Sequence, residues 1–330
     1  MTLSQQDIES RVARLSELKA AIGEAIVGQH AVVEQLLIAL LAGGHCLLEG
    51  VPGLGKTLLV RTLSQALKLD FRRIQFTPDL MPSDIVGTEI LEEDHGTGRR
   101  HFQFQRGPVF THLLLADELN RTPPKTQAAL LEAMQERTVS YAGTTYTLPA
   151  PFFVLATQNP LEQAGTYPLP EAQLDRFLLH VRIDYPSAEE ESAILTQTTG
   201  SAAARVPQVM DGEELLALIA LAREVHISAD TLSWITRLVR GSRPGPEAPA
   251  EINRLVRWGA GPRAGQALVL AAKARALLQG RYAATREDVR ALAAPVLRHR
   301  LLLSFAAEAE QRSADEVVTA LLAAVPFDRA

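Results

Sequence analysis

Apolar residues recur at helical spacing from the start of the chain. Ile8, Val12, Leu15, Leu18 and Ile22 fall on one face, which predicts an amphipathic helix over the first 22 residues or so. A second, apolar-rich helix is expected from His30 to Ala42. The rhythm then changes: short apolar runs at Cys46–Leu48, Phe71–Phe76, His112–Ala116, Phe152–Ala156 and Phe177–Ile183 alternate with helical or loop stretches. Such runs, bounded by Gly, Pro and Asp, suit strands buried on both faces of a parallel sheet with helical crossovers. Five of them predict an α/β unit. From Pro186 onward the strand signal vanishes and the chain becomes Ala- and Leu-rich with helical periodicity. The expected organisation is an α/β domain over 1–186 and a smaller all-helical domain over 187–330, with the Pro-rich "GSRPGPEAPAE" as a loop inside it. Within the first domain "ERTVSYAGTTYTLPAP" reads as a β-hairpin, with Val139, Tyr141, Tyr146 and Leu148 around an Ala-Gly turn.

Composition narrows the class. The chain has 330 residues, 47% hydrophobic and 22% charged, which suits an ordinary globular protein with room for two units. No apolar run approaches the roughly 18 residues that span a bilayer. The opening "MTLSQQDIESRVARL" is polar rather than signal-like, so a cytoplasmic location is expected. The net charge of −5 counts against a nucleic-acid surface, which announces itself by clustered Lys and Arg. Cys46, the single cysteine, lies in an apolar run and reads as a small buried hydrophobe. His45, His101, His112 and His180 lack metal-ligand spacing.

The chemistry is concentrated in three places. Gly50, Gly55, Lys56 and Thr57 satisfy G-x-x-x-x-G-K-[ST], with a predicted strand before and the helical "TLLVRTLSQAL" after. Glycines let backbone N–H groups turn inward around phosphate oxygens, and the following helix N-terminus adds partial positive charge. Lys56 is then placed for the β- and γ-phosphates and Thr57 for Mg²⁺. About sixty residues on, "HLLLADELN" ends an apolar strand in Asp117 and Glu118. The first carboxylate can hold Mg²⁺ through water, and the second can orient the attacking water. A third strand, "FFVLATQNP", ends in Thr157, Gln158 and Asn159, where an amide can reach the γ-phosphate or the lytic water.

With these three motifs in order ahead of a helical domain, the chain resembles an AAA+ ATPase, and more finely the MoxR family. That family is a helix-2-insert branch related to magnesium-chelatase ATPase subunits. The carrying stretches are "IVGQ" (Ile26–Gln29), "GVPGLGKT" (Gly50–Thr57), "QFTPDLMPSDIVG" (Gln75–Gly87), "FQRGPVF" (Phe104–Phe110), "LLADELNRTPPKTQAALLEAMQE" (Leu114–Glu136), "ATQNPLEQAGTYPLPEAQLDRF" (Ala156–Phe177) and "GPRAGQALVLAAKARALLQGR" (Gly261–Arg281). One departure is Leu119, where the family more often has isoleucine, a volume-conserving change.

The resemblance implies a P-loop core with a helical lid. It also implies ATP and Mg²⁺ held by Gly50, Pro52, Gly53, Leu54, Gly55, Lys56, Thr57 and Leu58, with Thr57 and Asp117 on the metal and Ile26, Val27 and Gly28 at the adenine. It assigns Glu118 to catalysis, Asn159 to sensor 1, Arg263 to a sensor 2 folding over the phosphates, and Arg176 to a finger entering the neighbouring subunit. A helix-2 insert is expected around Gly87–Pro108, its charged tip a candidate client contact or a plain solvated loop, and "ERTVSYAGTTYTLPAP" becomes the pre-sensor hairpin. The implied assembly is a homo-oligomeric ring, six subunits in the family. The implied work is chaperone-like activation of a partner protein, often one with a von Willebrand factor A domain, sometimes for metal or cofactor insertion. A metal-chelatase ATPase subunit stands as the nearest alternative, and a nucleic-acid motor or loader as one of another class. A non-hydrolysing scaffold is disfavoured by the intact Asp117–Glu118 pair.

Overall fold

The computed structural model describes residues 5–93, 100–160, 165–199 and 206–328. Five strands form one parallel sheet: β1 (Cys46–Glu49), β2 (Phe71–Gln75), β3 (Leu113–Asp117), β4 (Phe153–Gln158) and β5 (Leu179–Arg182). Their order across the sheet is β2-β3-β4-β1-β5. All five are the predicted runs. Alternation of side chains explains why the central ones read as continuously apolar. Cys46, Leu48, Leu113, Leu115, Phe153 and Leu155 enter one core, whereas Leu47, Leu114, Ala116, Val154 and Ala156 enter the other. β2 differs: as an edge strand it leaves Arg72 and Arg73 exposed.

The first core is shared. It runs from the opening helix (Gln5–Ala25) and the next (His30–Leu41) across the sheet into the C-terminal helices, where Trp234, Leu268, Leu292 and Leu321 are buried. The second core is closed by the helix Pro124–Glu136 through Leu130, Leu131 and Met134. The C-terminal part is helical as expected, but it also contains two short strand pairs. His226–Ile227 lies parallel to Ala283–Ala284, and Val256–Trp258 lies antiparallel to Leu302–Leu303. Ladders of two or three residues are too short to leave a period-2 signature.

The predicted hairpin forms, and the expected insert adds a second antiparallel pair. Thr138–Tyr141 pairs with Thr144–Thr147 across a turn in which Ala142 and Gly143 have φ of 47° and 80°, the mirror-image turn that matches strand twist. Gly87–Glu93 pairs with Arg100–Arg106, placing the half-exposed Leu91 opposite the exposed Phe102. Residues 94–99, the tip considered for client contact, lie outside the described residues.

His45, just before β1, is fully buried. Its Nδ1 accepts the Val154 N–H at 3.0 Å and its Nε2 donates to the Met134 carbonyl at 3.1 Å. Burial pushes the imidazole down from 6.5 to about 4, helped by Arg137 and opposed by the Met134 bond. The unfolded chain therefore takes up a proton between pH 6.5 and 4 that the folded chain refuses. Stability is full above pH 6.5 and falls as the pH drops toward 4, by about 3 kcal/mol for this residue. His299, also fully buried, acts in the same direction. Urea titrations at pH 7 and pH 5 are expected to show the loss, with a shallower pH slope in His45→Gln; an unchanged slope would contradict the assignment.

Candidate active site

The phosphate loop follows β1 directly. Gly50 has no room for a side chain, because a Cβ there would sit 3.0 Å from the Ile183 carbonyl oxygen. Gly53 and Gly55 take left-handed backbone, φ 87° and 73°, and the helix Lys56–Ala66 starts at once. A Cβ on either glycine would meet nothing within 4 Å, so backbone conformation rather than crowding calls for glycine at both positions. Lys56 donates to the Gly50 carbonyl. Its ammonium is partly buried, which lowers its pKa, while Asp117, Glu118 and Glu49 pull the other way. The predicted lysine and carboxylate pair are thus brought to one place. Thr57 follows in the helix's first turn, and Leu58 is exposed.

Asp117 ends β3, and Glu118 follows with φ 58°, a left-handed conformation uncommon for a residue with a side chain. Thr157 at the end of β4 holds both: its Oγ donates to Asp117 Oδ1 at 2.6 Å and accepts the Glu118 N–H at 2.8 Å. Both carboxylates also carry cationic partners. Arg73 donates to Asp117 Oδ2 through Nε (3.1 Å) and Nη2 (2.6 Å) and to Gln75 Oε1 at 2.6 Å. Gln75 Nε2 donates to Glu118 Oε2 at 2.7 Å, and Arg121 Nη1 reaches the same oxygen at 2.8 Å. Glu118 is therefore held by a neutral and a charged donor, both on Oε2, and its carboxylate has a second acceptor oxygen. Asn159 is buried just beyond β4, and the Gln158 carbonyl accepts the Gly50 N–H at 3.4 Å.

On the base side, Gly28 and Gln29 turn the chain with φ of 68° and 54°, and Gln29 Nε2 donates to the Leu54 carbonyl at 3.0 Å. This bond ties the Ile26–Gln29 turn to the phosphate loop. Ile26 is buried in the core, and Val27 is half-buried. Glu190 crowds the turn, since a Cβ on Gly28 would lie 2.5 Å from its Oε1.

Two predicted residues remain, one ion-paired with Asp175 and the other next to Asp175 in the chain. Arg263, in the first turn of the helix Pro262–Leu278, lies 3.6 Å from Asp175. Arg300, buried, donates to the other Asp175 oxygen at 2.7 Å. Arg176 is the next residue in the chain, on a surface groove with Glu132, Gln135 and Glu136. Arg263, expected to fold over the phosphates, has its ion pair with Asp175, the residue before Arg176. The helix carrying it is anchored by Asp175 and Arg300, a tertiary arrangement that motif order does not encode.

Arg73, Gln75, Arg121 and Thr157 were not assigned roles from sequence. Gln75, Arg121 and Thr157 stand inside recognised motifs; Arg73 reaches Asp117 only because β2 and β3 are neighbours in register.

The donor set fits a magnesium nucleotide. The open glycine turn and Lys56 would hold phosphates. Thr57 and Asp117 would hold Mg²⁺, which keeps most of its ligands as water and phosphate oxygen.

The model of the ATPase family associated with various cellular activities matches residues 45–179, and the AAA lid domain matches 250–321. The chain is 43% identical over 321 residues to the chaperone MoxR1 of Mycobacterium tuberculosis, covering 96% of this chain and 84% of that one. It is 34% identical to the protein MoxR of Paracoccus denitrificans, covering 96% and 97%. A crystal structure of a provisionally assigned ATPase from Cytophaga hutchinsonii superposes with a TM-score of 0.90 at 40% identity, over 98% of each chain.

Proposed function

This chain belongs to the MoxR family of AAA+ ATPases, and from that premise we propose that it hydrolyses ATP with Mg²⁺ in a ring and uses the cycle to activate a partner protein. The observation that carries the reading is the convergence of Lys56, Asp117 and Glu118 around the open glycine turn. Bound Mg²⁺ would neutralise phosphate charge and fix the phosphoryl group for in-line attack.

The chain's own residues divide the remaining work. Gly50, Pro52, Gly53, Leu54 and Gly55 shape the cradle, Lys56 carries the positive charge into it, and Leu58 lies in the first turn of the helix that orients it. Asp117 and Thr57 hold the metal. Glu118 accepts a hydrogen bond from the attacking water. Asn159, at the tip of the adjacent strand, faces the terminal phosphate. Ile26, Val27 and Gly28 border the base.

Arg263 pairs with Asp175, the residue before Arg176, and in our reading both arginines serve the nucleotide of a neighbouring subunit. Each subunit then gives arginines to the next, which requires a head-to-tail closed ring rather than a two-fold dimer; six subunits is the family expectation. The partner is a protein, of the von Willebrand factor A class in our reading, and the work is maturation or cofactor insertion in the cytoplasm. No helix among the described residues is long and apolar enough to cross a membrane.

The test is phosphate release by the purified chain. We expect turnover that needs both ATP and Mg²⁺ and is absent in Lys56→Ala. Turnover retained by Lys56→Ala, or none in the wild type with and without candidate partners, overturns the reading.

A further inference from the structure

The segment that follows β5 runs past both halves of the site. At its start Ile183 donates its N–H to the Glu49 carbonyl at 2.8 Å, and its own carbonyl is the group that denies Gly50 a side chain. Further along, Glu190 presses on Gly28 in the turn expected at the adenine. Gln29 of that turn donates to Leu54 of the phosphate loop. Loop, turn and segment therefore touch one another pairwise. Between the two contact points of the segment stands Tyr185, 74% exposed.

A lone exposed tyrosine is ordinary on a protein surface. This one is set in place. Pro186 follows it and confines the Tyr185 backbone to extended conformations. Ser187 and Glu190 then bond reciprocally: the Ser187 N–H donates to Glu190 Oε2 at 2.8 Å, and the Glu190 N–H donates to Ser187 Oγ at 3.3 Å. These bonds open the helix Ala188–Thr199, which Gln197 ties to the Glu24 carbonyl at 3.1 Å, just ahead of the Ile26–Gln29 turn. The backbone around Tyr185 is fixed at both ends while its ring faces out. An aromatic held this way gives up little freedom when a flat ligand settles on it.

We propose that Tyr185 is a further nucleotide-binding residue, its phenol ring stacking on the base that the Ile26–Gly28 turn borders. The inference rests on the nucleotide reading of the glycine loop given above. Chemistry selects the occupant. Asp184, Glu189, Glu190 and Glu191 surround Tyr185 in the chain, a setting that repels phosphate and suits a flat, uncharged base. Stacking needs only a π-face, so Tyr185 strengthens the hold on the base without choosing among bases.

Comparing a nucleotide with a base-free probe isolates this contact. The full-length chain is titrated calorimetrically with ADP and, separately, with inorganic tripolyphosphate, both with Mg²⁺. Tyr185→Ala is expected to weaken ADP binding by about 5- to 100-fold, the scale of one aromatic stacked on one base, and to leave tripolyphosphate binding unchanged. Tyr185→Phe keeps the ring and binds ADP as the wild type does. Tyr185→Trp supplies a second readout, since ADP is expected to quench the added indole and tripolyphosphate is not. ADP binding untouched by Tyr185→Ala, or no quenching in Tyr185→Trp, overturns the assignment and leaves the nucleotide reading standing. Equal weakening of ADP and tripolyphosphate by Tyr185→Ala also overturns it, because the loss then lies at the phosphate loop. If the wild-type chain binds neither ADP nor ATP with Mg²⁺, the nucleotide reading falls and this proposal with it.

Discussion

Glu118→Gln is expected to lower ATP turnover by about 10²- to 10⁴-fold while leaving nucleotide binding in place. The substitution keeps size and shape. It keeps the Thr157 contact, because that bond is made by the Glu118 backbone N–H and not by its side chain. It also keeps the left-handed backbone at this position, to which glutamine adds no new branching. What is lost is the negative charge that accepts a hydrogen bond from the attacking water. The ion pair to Arg121 is lost as well, but it is part-exposed and worth at most about 1 kcal/mol. Binding therefore persists while chemistry stops, and the variant accumulates in its ATP state, the form best suited to hold a partner protein. Steady-state phosphate release beside equilibrium binding of a fluorescent ATP analogue checks both halves. Turnover equal to wild type removes Glu118 from the mechanism. Lost binding instead assigns it a structural part in the cradle.

The parts of this site that were legible in the sequence are those whose chemistry is local. Gly50 to Thr57 could be read because the glycines, the lysine and the helix start lie within eight residues, and the left-handed turns at Gly53 and Gly55 are what glycine supplies. Asp117, Glu118 and Asn159 could be read because each ends an apolar run, and a strand tip in a parallel sheet is where side chains converge on a ligand. The clasp around the carboxylates was not legible. Arg73 meets Asp117 only through the register of β2 on β3, and β2 is the least apolar of the five strands. The left-handed Glu118 has no local signal at all, since a glutamate gives no reason to expect φ 58°. The partner of Arg263 was not legible for a related reason. Its motif marks a helix start, but which surface that helix start faces is decided by Asp175 and Arg300, far away in the chain.

That placement leads to the second large effect. Arg263→Ala and Arg176→Ala are each expected to reduce turnover about 10³-fold, the scale of an arginine supplied across an interface in related phosphoryl-transfer chemistry. Loss of activity alone does not say which subunit is served, whereas mixing subunits does. If Arg263 acts on its neighbour, an Arg263→Ala subunit still has a complete Glu118, and a Glu118→Gln subunit still has a complete Arg263. Rings mixed one to one then contain junctions where the second kind serves the first, about a quarter of all junctions when mixing is random. Activity should return to about a quarter of wild type from two variants that are each nearly inert. If Arg263 instead bent over its own nucleotide, no site in the mixture would hold both groups, and nothing would return. The ion pair of Arg263 with Asp175, the residue before the expected finger Arg176, favours the first outcome. The same mixture made with Arg176→Ala should behave alike, because a finger entering the neighbouring subunit also completes a site whose Glu118 belongs to another chain.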